Sequence, residues 1–344
     1  MLPERQDLVA RLFPNGMPKL LCPPLTHFDG PMRMDRGRMA AHYRTMAPLV
    51  GVFLVPGSTG DGWLMDDAMM LDALALSGGF AVQYGGGILA AVLKPELNDM
   101  LLGIEKVRDA VAAKTGRRDA QGFVEAGLKG ITVCAPAGTD RTQAEIEGAL
   151  RAVLDVDLPT ALYQLPQITK NEISPEVFAR LAADYPNFYL FKDTSGNDRV
   201  ALSRVETKGV FLVRGMEGGY ARWYKANGGP YDGFLLSTAN GFAPELARIL
   251  ALSDAGDKAG AQALSDRLDA LIAALLDLVA PVPCSNIFAN SARIVDHLRA
   301  YGDAWASSPA PCLPDGSRLD ADLLARGIGL IQAAGFPSAH GYLI

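Results

Sequence analysis

Two runs decide how the chain reads: Thr160-Ala161-Leu162-Tyr163 and Phe188-Tyr189-Leu190-Phe191-Lys192. Each is short and apolar throughout rather than alternating, as expected of strands buried on both faces of a parallel sheet. Between them, Ser174-Pro175 opens a helical stretch over 175–183, a good capping residue followed by proline at the first helical position. The same alternation recurs outward in both directions, with apolar runs at 19–22, 51–56, 88–93, 131–134, 210–213 and 233–236. The segment at 144–154 sets Ile146, Leu150, Val153 and Leu154 on one helical face.

Eight strands alternating with helices predict an α/β chain folded as a closed (β/α)8 TIM barrel. An open doubly wound sheet has a similar local pattern, but no Gly-x-Gly-x-x-Gly follows the first strand, which counts against its dinucleotide-binding form. The stretch 78–84 competes with 88–93 for the third strand. Past about residue 243 the strands stop, and 244–253, 258–279, 286–299 and 320–334 read as helices. The expected organisation is a barrel domain over 1–245 and a C-terminal helical extension over 246–344 packed on it.

A length of 344 residues suits one barrel of about 250 residues plus an appendage of roughly 90. The formal net charge of -6 argues against nucleic acid, whose phosphates need a basic face. Cys22, Cys134, Cys284 and Cys312 lie far apart with no Cys-x-x-Cys pair, so neither a zinc site nor a disulfide framework is expected. Cys22 and Cys134 sit in apolar runs and read as buried thiols. The first residues lack the apolar stretch of a signal peptide, and no window reaches 18 uncharged apolar residues. The expectation is a cytoplasmic protein with no membrane partner.

In a parallel barrel the chemistry comes from the C-terminal ends of the strands. Lys192 closes the sixth run, where desolvation favours the neutral amine that attacks ketones. Taken alone, a lysine there more often just reaches solvent. Tyr163 closes the fifth run and can shuttle a proton, although an isolated tyrosine is more often packing. After the second run comes Gly57-Ser58-Thr59-Gly60-Asp61-Gly62, whose N–H groups and hydroxyls suit a carboxylate or a phosphate. It is not a P-loop, because no Lys-Ser/Thr follows at the required spacing.

Together these pieces resemble the dihydrodipicolinate synthase/N-acetylneuraminate lyase family of class I aldolases. Pro24-Leu25-Thr26-His27-Phe28-Asp29-Gly30 looks like its opening segment, and Gly57 to Asp61 looks like its Gly-Thr-Thr-Gly-Glu loop. Tyr163-Gln164-Leu165-Pro166 is similar to its Tyr-Asn-x-Pro, and Phe191 to Asn197 resembles its lysine motif. Ser237-Thr238-Ala239-Asn240 with Pro244 resembles its eighth-strand ending. The resemblance implies a small 2-oxo acid substrate held as an imine on Lys192, with Tyr163 moving protons. Gly57, Ser58 and Thr59 would hold the carboxylate, and Leu235 would border the substrate. It implies no metal or dissociable cofactor, and a homodimer or homotetramer by analogy.

The departures are specific. Synthase members carry Pro-Tyr-Tyr after strand four, where this chain has Pro136-Ala137-Gly138, so the proton relay through the second tyrosine is missing. They place a carboxylate-binding arginine where this chain has Ile168. Both changes point away from a true synthase and toward aldolase or dehydratase branches. A segment around 114–121 is extra. Lys94, past the third strand, is read as a surface lysine rather than a substrate contact. The alternatives are a 2-oxo sugar-acid dehydratase using the same imine, a weakened 2-oxo-acid-binding protein, and a phosphate-handling isomerase. The last is disfavoured because barrel phosphate sites usually follow strands seven and eight.

Overall fold

A computed structural model describes residues 2–336 and 341–344. Eight parallel strands close into a barrel: β1 (Leu20–Cys22), β2 (Val52–Val55), β3 (Gly87–Ala91), β4 (Leu128–Cys134), β5 (Thr160–Gln164), β6 (Phe188–Asp193), β7 (Phe211–Arg214) and β8 (Gly233–Leu235). Each lies beside its sequence neighbours, and β8 pairs back onto β1. The expected (β/α)8 TIM barrel is therefore present. The open sheet is excluded because both would-be edges are hydrogen-bonded. The competitor for the third strand, 78–84, lies instead in the helix Asp67–Tyr84.

The strands read as continuous apolar runs because both of their faces are covered. One set of residues, including Leu21, Leu54, Leu89, Ala161, Leu190, Val213 and Leu235, fills an inner core. Their neighbours in sequence, such as Phe53, Ile88, Leu162, Phe191 and Leu212, pack in a second core. The helix Pro175–Asp184 is capped by Ser174 and has proline in its first turn, as the sequence indicates. The helix Gln143–Leu154 buries Ile146, Leu150, Val153 and Leu154, as expected from their spacing.

Several elements differ from the sequence reading. The helix Pro3–Leu12 was not anticipated. It adds Leu8 and Leu12 to the inner core and brings the fully buried Arg5, whose guanidinium donates to the carbonyls of Phe188 and Ala182, each at 2.7 Å. The helix after β8 runs Ala239–Asp254 and begins earlier than 244, with Pro244 inside it and a kink at Phe242. Residue 245 falls within this helix. Beyond it lie Lys258–Val279, Ile287–Tyr301, capped by Asn286, and Ala321–Ala333, capped by Asp320. A small hairpin, Phe28–Gly30 with Arg33–Met34, follows β1. The stretch around 114–121 finishes the helix Leu97–Thr115 and starts a short helix, Ala120–Glu125.

Among the described residues, no helix is long and apolar enough to cross a membrane. The four cysteines are free.

Candidate active site

Strand register assembles the centre. Cys134, Tyr163, Lys192 and Val213 are successive partners on β4, β5, β6 and β7, so they stand at one level near the C-terminal ends of their strands. Lys192 is only 3% exposed, and its Nζ lies 4.0 Å from the centre of the Tyr163 ring. Burial lowers its pKa to about 7, opposed by the nearby Cys134, Glu217 and Cys22. A substantial fraction of the amine is therefore neutral at neutral pH, as a nucleophile toward carbonyl carbon requires. Burial raises the Tyr163 phenol above its ordinary value, so it stays protonated and able to donate. Cys22 and Cys134 are fully buried and their thiols are pushed up by the same desolvation, which keeps them unreactive.

The glycine loop after β2 reaches this centre through Ser58, whose Oγ lies 3.5 Å from the Tyr163 Oη. Thr59 follows in the same loop and is buried. The glycines serve close packing: a Cβ on Gly57 would stand 2.7 Å from the Pro23 side chain, and one on Gly62 would stand 2.4 Å from the Pro56 carbonyl oxygen. The C-terminal helices clamp the loop. Asn286 Nδ2 donates to the Ser58 carbonyl at 2.9 Å. Asp61 forms a buried ion pair with Arg293 and accepts from Ser285. Leu235 packs in the inner core cluster that also holds Tyr163.

The loop after β7 brings a carboxylate that the sequence reading passed over. Glu217 accepts from Ser237 Oγ at 2.5 Å, Thr238 Oγ1 at 2.7 Å and Tyr220 Oη at 2.9 Å. Arg214 holds this loop to the lysine loop. It pairs with Asp198 at 3.0 Å and donates to the carbonyls of Met216 and Gly218 at 2.8 Å. Gly215, at the end of β7, leaves room for the lysine stem, since a Cβ there would lie 2.7 Å from Lys192 Cε. The signal for Glu217 is its place just after the seventh strand, the same kind of position that marks Ser58, Tyr163 and Lys192 on the second, fifth and sixth. The contributions of Asn286 and Arg293 come from more than 200 positions away, beyond any local pattern.

After β4, Gly138 has φ +142, a conformation favouring glycine, and the Arg141 side chain lies over it. Ile168 is 44% exposed on the short helix Pro166–Thr169. Lys94 is turned away into an ion pair with Asp67 at 2.7 Å.

A second polar cluster lies where the helix Arg36–Met46 meets Ile287–Tyr301. His27, His42 and Asp296 bring ligand-type atoms within 4.8 Å of one another. Asp296 is already committed, to His42 Nδ1 at 2.6 Å, Tyr342 Oη at 2.7 Å and Arg38 at 2.5 Å. His42 Nε2 faces the Asn240 Oδ1 at 3.0 Å. With a guanidinium on the carboxylate, the cluster is an ion network joining barrel to extension rather than a cradle for a cation.

The fold defines the class, the (β/α)8 barrels, and in this one a desolvated lysine stands at the end of the sixth strand. Within that class, a profile of the dihydrodipicolinate synthetase family matches residues 109–291, more than half of the chain, and the chain belongs to that family. A 4-hydroxy-tetrahydrodipicolinate synthase of Methylobacterium radiotolerans is 32% identical over 52% of this chain and 60% of its own length. One from Stenotrophomonas maltophilia is 28% identical over 70% and 74%. A probable 5-dehydro-4-deoxyglucarate dehydratase of Corynebacterium glutamicum is 29% identical over 52% and 50%. The chain thus spans less than two thirds of the Methylobacterium and Corynebacterium proteins. Among solved structures, an E. coli K12 prophage protein of the dihydrodipicolinic acid synthase family, in complex with pyruvate, superposes with a TM-score of 0.71 at 20% identity, covering 92% of this chain and 99% of that one. A 2-keto-3-deoxygluconate aldolase variant of Sulfolobus solfataricus superposes at 0.68 and 16%, covering 92% and 96%. These likenesses show the fold.

Proposed function

We propose that this chain is a class I lyase that forms an imine between Lys192 and the ketone of pyruvate or a related 2-oxo acid. The carrying observation is the buried Lys192 amine, with its pKa near 7, set over the Tyr163 ring. The neutral Nζ adds to the ketone carbon, and the former carbonyl oxygen leaves as water after taking up protons. The nitrogen, now in a protonated imine, draws the electron pair of a breaking bond at C3 into an enamine. Tyr163 carries protons to and from the carbinolamine oxygen and the departing group. Ser58 and Thr59 bind the carboxylate, with Gly57 setting the turn and Leu235 the inner wall. The imine is the electron sink, so the reading calls for no dissociable cofactor or metal. A homo-oligomer accords with this family reading.

A second reading, dehydration of a 2-oxo sugar acid through the same imine, is favoured by Glu217 with Ser237 and Thr238. The Glu217 carboxylate lies close enough to bear on the Lys192 charge and accepts from both hydroxyls, a polar group suited to a polyhydroxylated tail. The likeness to a protein named as a dehydratase agrees with it.

Incubation with pyruvate and borohydride, followed by intact-protein mass spectrometry, tests both readings. A single reduced adduct on the native chain, absent from Lys192→Ala, supports the imine. An adduct only with longer 2-oxo acids favours the dehydratase reading, and no adduct with any 2-oxo acid defeats both.

A further inference from the structure

The Ser58 hydroxyl beside the Tyr163 phenol is already engaged. Trp63 Nε1–H donates to Ser58 Oγ at 2.9 Å, while Tyr163 Oη stands at 3.5 Å from the same oxygen. Trp63 belongs to the turn Gly62–Leu64, just past the glycine loop, and packs against the inner core that contains Tyr163, Leu165 and Cys134. An indole nitrogen is a donor only and cannot accept or pass on a proton. Ser58 Oγ therefore gives one acceptor position to a group that does not titrate, and its own proton is left for another acceptor. The 3.5 Å separation is too long for Tyr163 to hold that proton firmly.

We propose that Trp63 is a positioning residue that fixes Ser58 as a hydroxyl donor directed at the carboxylate of the bound 2-oxo acid. The proposal rests on the imine reading above. It has a corollary. On its two sides the chain of hydroxyls is short: past Ser58 the neighbour is an indole, with Ala137 and Gly138 where a relay tyrosine would stand, and the other hydroxyl beside Tyr163, that of Thr194, is buried with no further partner among the described residues. Tyr163 then exchanges its proton with the substrate and its leaving water, not along a relay to the surface.

A double-mutant cycle tests this, with the pyruvate concentration giving half-maximal borohydride adduct as the readout. Removing one neutral hydrogen bond by Trp63→Phe raises that concentration roughly three- to tenfold. Ser58→Ala raises it comparably, and the double variant is no worse than Ser58→Ala alone, because Trp63 acts only through that hydroxyl. Trp63→His, which restores a ring N–H, recovers part of the loss. The proposal is overturned if Trp63→Phe leaves the value unchanged, or if its full factor multiplies that of Ser58→Ala, as a packing role would produce. If Trp63→Phe does not fold, Trp63→His with and without Ser58→Ala makes the same comparison: coupling supports the proposal and additivity overturns it. A wild-type protein that traps no 2-oxo acid removes the imine reading and this proposal together. Normal wild-type trapping with an additive cycle removes this proposal alone.

Discussion

Replacing Lys192 by Met should stabilise the protein, and by an amount that shrinks as the pH rises. Met keeps the length and apolar stem of the side chain but removes the proton-binding group. The folded-state pKa is about 7 against 10.5 for an ordinary lysine. Below about pH 7 both folded and unfolded chains hold the proton, and the fold bears the whole cost of burying an ammonium. Between about 7 and 10.5 the unfolded chain keeps a proton the folded chain has shed, so stability rises with pH until the cost is gone. At 1.36 kcal/mol per pKa unit, the cost is about 5 kcal/mol at pH 6 and about 2 kcal/mol at pH 9. The advantage of Lys192→Met over the native chain should therefore narrow by roughly 3 kcal/mol across that interval. Urea denaturation of the two proteins side by side at both pH values measures it, since titrating groups that do not face the lysine cancel in the comparison. A gap that stays constant to within about 1 kcal/mol would show that the lysine is not desolvated as the geometry indicates.

The same shift makes a chemical prediction: the rate of pyruvate trapping should rise with pH about a midpoint near 7, and a midpoint above 9 contradicts the neutral-amine argument. Tyr163→Phe should slow turnover roughly 100-fold or more, as loss of a positioned proton carrier does, and wild-type turnover would remove that role. Arg293→Met leaves the buried Asp61 charge with no cation and only the Ser285 hydroxyl, so it should cost about 3–5 kcal/mol of stability in urea and loosen the glycine loop. A loss below about 1 kcal/mol would mean that water reaches the pair. Gly215→Ala puts a methyl group 2.4 Å from Thr194 Oγ1 and 2.7 Å from Lys192 Cε, and trapping should slow well before the fold is lost. Inorganic phosphate should compete poorly with pyruvate in the trapping assay, and strong competition would revive a phosphate-handling reading of the Gly57 loop.

The barrel was legible because parallel strands buried on both faces leave an unbroken apolar signature, and each such run ends on a residue that can be weighed for chemistry. That logic marked Lys192 and Tyr163 as positions to weigh, and only the resemblance to a known family made them candidates for chemistry. It did not find Trp63, which looks like an ordinary apolar residue until its N–H is seen on Ser58. Nor did it find the helix Pro3–Leu12, whose short amphipathic pattern is weak, and whose Arg5 makes sense only against carbonyls some 180 positions away.

By itself, then, the sequence determined the eightfold alternation, the Ser174 cap that starts the helix Pro175–Asp184, and which strand ends carry an amine, a phenol and a glycine loop. Those are local properties, set by periodicity, backbone preference and residue type. Tertiary structure alone decided that Tyr163 lies beneath the Lys192 amine, that Arg293 and Asn286 hold the loop from the C-terminal helices, and that Glu217 faces the same centre. These depend on strand register and on burial, and the lowered lysine pKa follows from the second: desolvation is a property of what surrounds a group, which no neighbour in the chain supplies.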